Sequence, residues 1–205
     1  MVCTKQKTGI EVHMSSRNKI LSAIRSNKPG AQPLPGITGF TAQQPDTERF
    51  VNTLQSIGGR VVRVRSFEEI IAHIREAFPE GTRIISSLPQ LAGIAETGWS
   101  NAPAHSLENV QLAVFKAQLG VCENGAVWVT EQDIVQRAAA FIAEHLAMVL
   151  EESTLVATMH DAYLQLHNQR YGYGVFIAGP SKTADIEQSL VLGAHGPRTM
   201  TLFLV

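Results

Sequence analysis

The order of apolar patterns along the chain predicts an α/β protein: a largely parallel sheet covered by helices, with a further helix near the N-terminus. Three observations carry this. Stripes of apolar residues at helical spacing alternate with short β-rich apolar runs from one end to the other. Arg60 to Val64 alternates as a strand should, and Thr82 to Ser86 and Val110 to Phe115 read as short buried strands. The 205 residues are 44% hydrophobic and 17% charged, which suits one compact domain with a real core.

Ser15 or Ser16 caps a first helix whose Ile20, Leu21 and Ile24 share a face, and the pattern dies at Asn27-Lys28-Pro29-Gly30. Residues 1–13 show no periodicity and read as a flexible extension, so the expected domain runs from Met14 to Val205. From Pro29 to Pro45 four prolines and three glycines predict an extended surface connector. Asp46 opens a helix with Phe50, Val51, Leu54 and Ile57 inward, stopped by Gly58-Gly59, and Arg60 to Val64 follows as a strand. Ser66 with Glu69 fits a capping box for a helix carrying Ile70, Ile71, Ile74 and Phe78. Strands are predicted at Thr82–Ser86, Val110–Phe115, Ala126–Thr130 and Leu146–Leu150. Thr158 with Asp161 forms a second capping box, for a helix using Ala162, Leu164 and Leu166. Gly174–Ala178 and Met200–Val205 complete the β-rich runs.

A net charge of −1, with no block of like charges, argues against nucleic acid as a partner. The longest apolar stretch, Ala138 to Leu150, is interrupted by Glu144 and His145 and is short for a membrane span. No secretory signal pattern occurs, which makes the cytoplasm the expected compartment. Cys3 and Cys122 are too few for an iron–sulfur cluster on this chain, and the histidines show no metal-ligand spacing, so no bound cofactor or metal is expected.

Chemistry concentrates near the C-terminus. Gly179-Pro180-Ser181-Lys182-Thr183 follows a β-rich run where a helix would begin, and free N–H groups beside a cation form an anion site. A plain helix cap by Ser181 or Thr183 fits the same residues. Asp185 and Glu187 complement the dipole of that helix, with Asp185 the better functional candidate. In Gly193-Ala194-His195-Gly196-Pro197-Arg198 a rigid loop aims an imidazole, and Arg198 suits bidentate recognition of a carboxylate or phosphate. A tight turn before the last strand is the alternative. Glu123-Asn124-Gly125 places a carboxylate on a turn before the 126–130 strand, either as a reactive group or as a surface turn. Cys122, beside Glu123, reads as a packed thiol with raised pKa. Arg137 reads as a solvated helix arginine.

The strings from Gly179 to Glu187 and from Leu192 to Arg198 resemble the C-terminal signature of the lactate-utilisation protein C family, the LUD-domain proteins. The resemblance implies a fold related to the sugar-phosphate isomerase and CoA-transferase group. It implies a pocket with Glu123 and His195 as catalytic candidates and Asn124, Gly125, Gly179, Pro180, Ser181, Lys182, Thr183, Asp185, Gly196 and Arg198 as ligand-binding ones, with Arg137, placed before the 146–150 strand as an arginine is in family members, as a secondary anion contact. The chain departs from the family where Asn124 stands for a threonine and in the approach from Val114 to Leu119. The implied role is accessory: oxidation of L-lactate to pyruvate, a small anionic substrate, and clusters carried by separate iron–sulfur partner proteins. An autonomous enzyme acting on a sugar phosphate or CoA thioester through Glu123, or a non-catalytic interaction protein, are the alternatives.

Overall fold

The computed structural model describes residues 15–33, 44–183 and 191–205. The chain divides into two compact units, residues 1–41 and 42–205. In the first, helix α1 (Ser16–Ser26) is capped by Ser15, whose hydroxyl accepts from Asn18 N–H at 3.3 Å. On its apolar stripe Ile20 is 61% and Ile24 53% exposed. The expected extension at 1–13 and most of the Pro-rich connector lie outside the described residues.

The second unit holds, in chain order, α2 (Thr47–Ser56), β1 (Arg60–Arg63), α3 (Phe67–Ala77), β2 (Ile84–Ser86), β3 (Leu112–Lys116), β4 (Leu119–Val121), β5 (Ala126–Thr130), α4 (Glu131–Ile134) and α5 (Ala139–Ile142). It continues with β6 (His145–Leu150), β7 (Leu155–Val156), α6 (Met159–Leu166), β8 (Gly174–Ile177), β9 (Lys182–Thr183), β10 (Val191–Leu192) and β11 (Thr199–Leu204). A five-stranded sheet of order β1-β11-β6-β3-β2 is parallel throughout. The expected largely parallel, helix-covered sheet is therefore present.

Alternation along its strands explains the layers. Ala113, Phe115, Leu146, Met148, Leu150, Met200 and Leu202 point into one core with Phe50 and Leu54 of α2. Leu112, Val114, Ala147, Val149 and Phe203 point to the opposite face, where Ile70 and Ile74 of α3 cover them. Because β2, β3 and β6 are buried on both sides, their sequences read as apolar runs, whereas β1 leaves Arg60 and Arg63 exposed.

A second, four-stranded sheet of order β7-β4-β5-β8 corrects the single-sheet expectation: Ala126–Thr130 and Gly174–Ile177 pair antiparallel with each other there. Val127 and Val129 face the shared core, while Trp128 turns outward onto Leu119, Val121 and α6. Glycines permit the packing, since a Cβ on Gly174 would meet Trp128 at 2.2 Å. Helix α6 has the predicted capping box, Thr158 with Asp161, and buries Ala162 and Leu166. Leu164 is a correction, 66% exposed on the outer side of a helix that covers only a small sheet. The other predicted box does not close: Glu69 accepts the N–H of Arg65 at 3.0 Å, and the Ser66 hydroxyl serves Glu68, whose carboxyl it holds below the usual range.

Candidate functional site

Four strands of the parallel sheet begin nearly level, with Leu112, His145 and Thr199 in register and Arg60 opposite Thr201. The residues just before these strands therefore gather at the sheet's amino edge. Here a cleft of about 870 Å³ opens between Arg83, Asn109 and Gln111 on one side and Phe141, Glu144 and the loop from Gly193 to Arg198 on the other. His195, Gly196 and Arg198 all line it.

The two C-terminal strings are held together by backbone. Ser181 N–H donates to Pro197 O at 2.9 Å, Gly193 N–H donates to Ser181 O at 3.0 Å, and β9 pairs with β10. Gly193 has φ +75°, a left-handed conformation in which a side chain is strained, and its missing Cβ lets Arg198 pack across it. Gly196 packs on Ser181, where an added Cβ would lie 3.1 Å from the Ser181 Cβ. Lys182 and Thr183 thus belong to a strand, a correction to the helix start expected there, because Ser181 and its neighbours find partners in the second string. Asp185 and Glu187 lie outside the described residues.

Charge pairing decides which groups are available. Arg198 donates from Nη1 to Glu144 Oε1 at 2.7 Å, and its side chain remains 65% exposed. That bond engages one of five guanidinium donors. His195 is exposed and has no hydrogen-bond partner among the described residues. Arg83, a cleft residue the sequence reading did not single out, is committed to Glu96, Ser106 O and Asn109. Glu144 was passed over too; an acidic residue before a strand carries no signal until its arginine partner is placed beside it.

The remaining candidates lie elsewhere in the unit. Lys182 Nζ donates to the carbonyl of Ile57 at the C-terminal end of α2, where a cation complements the helix dipole. Gly179 and Pro180 are buried beside the same helix end, near Ile57 and Gly58. Glu123 is exposed on the β4–β5 turn, and its Oε2 accepts from Met159 N–H at 2.9 Å at the start of α6. Asn124 Oδ1 accepts from Ala126 N–H at 3.0 Å. Gly125, with φ +69°, passes 2.9 Å from the Leu54 backbone when given a Cβ. Arg137 pairs with Glu131 at 2.8 Å and stacks on Tyr173.

Cys122 is buried, and burial pushes its thiol up. The carboxylate adding a smaller push is that of Asp46 rather than Glu123. Among the described residues no group of three His, Cys, Asp or Glu is placed to hold a metal ion. No helix among them is long and apolar enough to cross a membrane.

A profile of the LUD domain matches residues 102–205, just over half of the chain and all of both loops. The chain belongs to the LUD-domain family. A protein of Bacillus pumilus described as "Lactate utilization protein C" is 34% identical over 128 residues, covering 57% of this chain and 53% of that one. A namesake from Geobacillus kaustophilus is 32% identical over 114 residues, covering 53% and 47%. This LUD chain thus spans about half the length of those relatives. The crystal structure of a DUF162 family protein from Deinococcus radiodurans superposes with a TM-score of 0.59 at 16% identity, covering 77% of this chain and 94% of that one. That likeness establishes the shared fold.

Proposed function

We propose that this LUD domain serves lactate utilisation as an accessory component of L-lactate oxidation to pyruvate. The observation that carries the reading is the match over residues 102–205 to a family whose relatives are described as lactate utilisation proteins, together with the position of the second matched loop, with His195 and Arg198, at one cleft. In this reading a small hydroxy acid enters the cleft of about 870 Å³. Arg198, with donors left over from Glu144, takes the carboxylate as a fork, and the unpartnered His195 takes the hydroxyl. The oxidation releases two electrons. In this reading they pass to separate iron–sulfur proteins, as the family resemblance implies, while the two protons leave to solvent; the chain's two cysteines agree with that division.

Titration calorimetry with L-lactate, a sugar phosphate and CoA tests this. L-lactate binding that Arg198→Ala weakens at least tenfold supports the reading. Binding of CoA or a sugar phosphate instead, abolished by Glu123→Gln, replaces it with an autonomous transferase or isomerase. Loss of growth on lactate in a deletion strain, restored by the parent chain and not by His195→Ala, supports the cleft as the working site.

A further inference from the structure

A second cleft, of about 430 Å³, opens on the other face of the parallel sheet, beneath α3 and beside the amino ends of β1, β3, β6 and β11. Its floor is apolar, built from Val62, Ile74, Phe78 and Phe203. Its rim is polar, with Arg60, His73, Glu76, His145, Thr199 and Thr201. We propose that this cleft binds a zwitterionic α-amino acid with an apolar side chain. The inference goes beyond the lactate reading and does not rest on it, since none of these residues belongs to the His195 cleft.

The decisive feature is a pair of opposite charges that do not neutralise each other. Arg60 and Glu76 line the same cavity, and neither has a side-chain partner among the described residues. A ligand carrying a carboxylate and an ammonium satisfies both at once: the guanidinium fork takes the carboxylate, and Glu76 accepts from the ammonium. A simple monocarboxylate would face Glu76 as a like charge, and a simple amine would face Arg60. The size agrees, because small-molecule pockets span roughly 300–1,000 Å³ and this one is near the lower end.

The walls select the side chain. His145 is fixed, its Nδ1 2.8 Å from Thr199 Oγ1 and its ring 5.3 Å edge-on from Phe78, with Nε2 4.0 Å from Glu144 Oε1. His73 packs 6.3 Å from the Phe203 ring. A floor of aromatic and branched groups with no charged residue favours a branched or aromatic side chain over a polar one.

The test uses the full chain in heteronuclear NMR and calorimetry, with L-leucine and L-phenylalanine as probes and 4-methylpentanoate and isopentylamine as analogues bearing one charge each. The expected result is binding of both amino acids, with shifts concentrated at Phe78, Thr199 and Thr201. Arg60→Gln and Glu76→Gln each weaken it at least tenfold, and so does removal of either ligand charge. Arg60 and Glu76 are both exposed, so these variants keep the fold, and Arg63→Gln serves as an unaffected control. The proposal is overturned if neither amino acid shifts these resonances at millimolar concentration. It is also overturned if 4-methylpentanoate binds as tightly as L-leucine and gains affinity in Glu76→Gln, which would make the cleft a carboxylate site.

Discussion

The five-stranded parallel sheet contains no glycine in any strand, whereas the four-stranded sheet beside it begins β8 with Gly174 and centres β4 on Gly120. In the first, apolar side chains fill both faces, and its core depends on the volume of those side chains. In the second, backbone and large groups approach so closely that a Cβ does not fit: on Gly120 it would lie 2.7 Å from Leu150 and 2.8 Å from Leu155. The first sheet is therefore sensitive to loss of atoms and the second to their addition. The contrast matters for the candidate site, because His195 and Arg198 are carried by the loop entering the parallel sheet, while Glu123 rides on the glycine-dependent one.

The largest expected effect is in the parallel sheet. Phe115, fully buried in the shared core, should lose about 3–5 kcal/mol of stability as Phe115→Ala, measured by urea unfolding. Gly120→Ala should cost about 1–3 kcal/mol by overpacking against Leu150 and Leu155, and a neutral result would break the comparison outright. Thr158→Ala removes a complete capping box from α6, which covers the second sheet alone, and should cost about 1 kcal/mol in the same assay.

Arg198→Ala tests whether the loop's charge serves the fold or a ligand. Its ion pair with Glu144 is largely exposed, so stability should change by less than about 1 kcal/mol while anion binding falls. The smallest effect concerns Glu131, whose carboxyl the Arg137 guanidinium, and then the Gly172 N–H, holds below its usual range. A depressed folded pKa adds stability above the unfolded pKa and loses it as pH falls through the folded value. Arg137→Gln should therefore differ most from the parent at neutral pH, converge with it in acid, and raise the Glu131 titration midpoint followed by NMR.

Much of the parallel sheet was legible because most of its strands are buried on both faces. Ile84–Ser86, Leu112–Lys116, His145–Leu150 and Thr199–Leu204 each fall within two residues of an apolar run. The strand Leu119–Val121 was not legible, since three residues with a central glycine carry no period. At the site, the glycines of both C-terminal strings pointed to tight loops, and Gly193 is one. The opposite wall of the cleft was invisible: Arg83 and Gln111 come from separate segments whose polar residues look like ordinary strand edges.

The sequence by itself determined the α/β class, the strands of the parallel sheet and the family, because these rest on local period and contiguous strings. Only the tertiary structure decided which strands form a second sheet and what each candidate charge touches. Lys182 reaches the Ile57 carbonyl across 125 positions, and Arg198 reaches Glu144 across 54. Contacts over such separations depend on how the strands are ordered in space, and neither residue spacing nor propensity encodes that order.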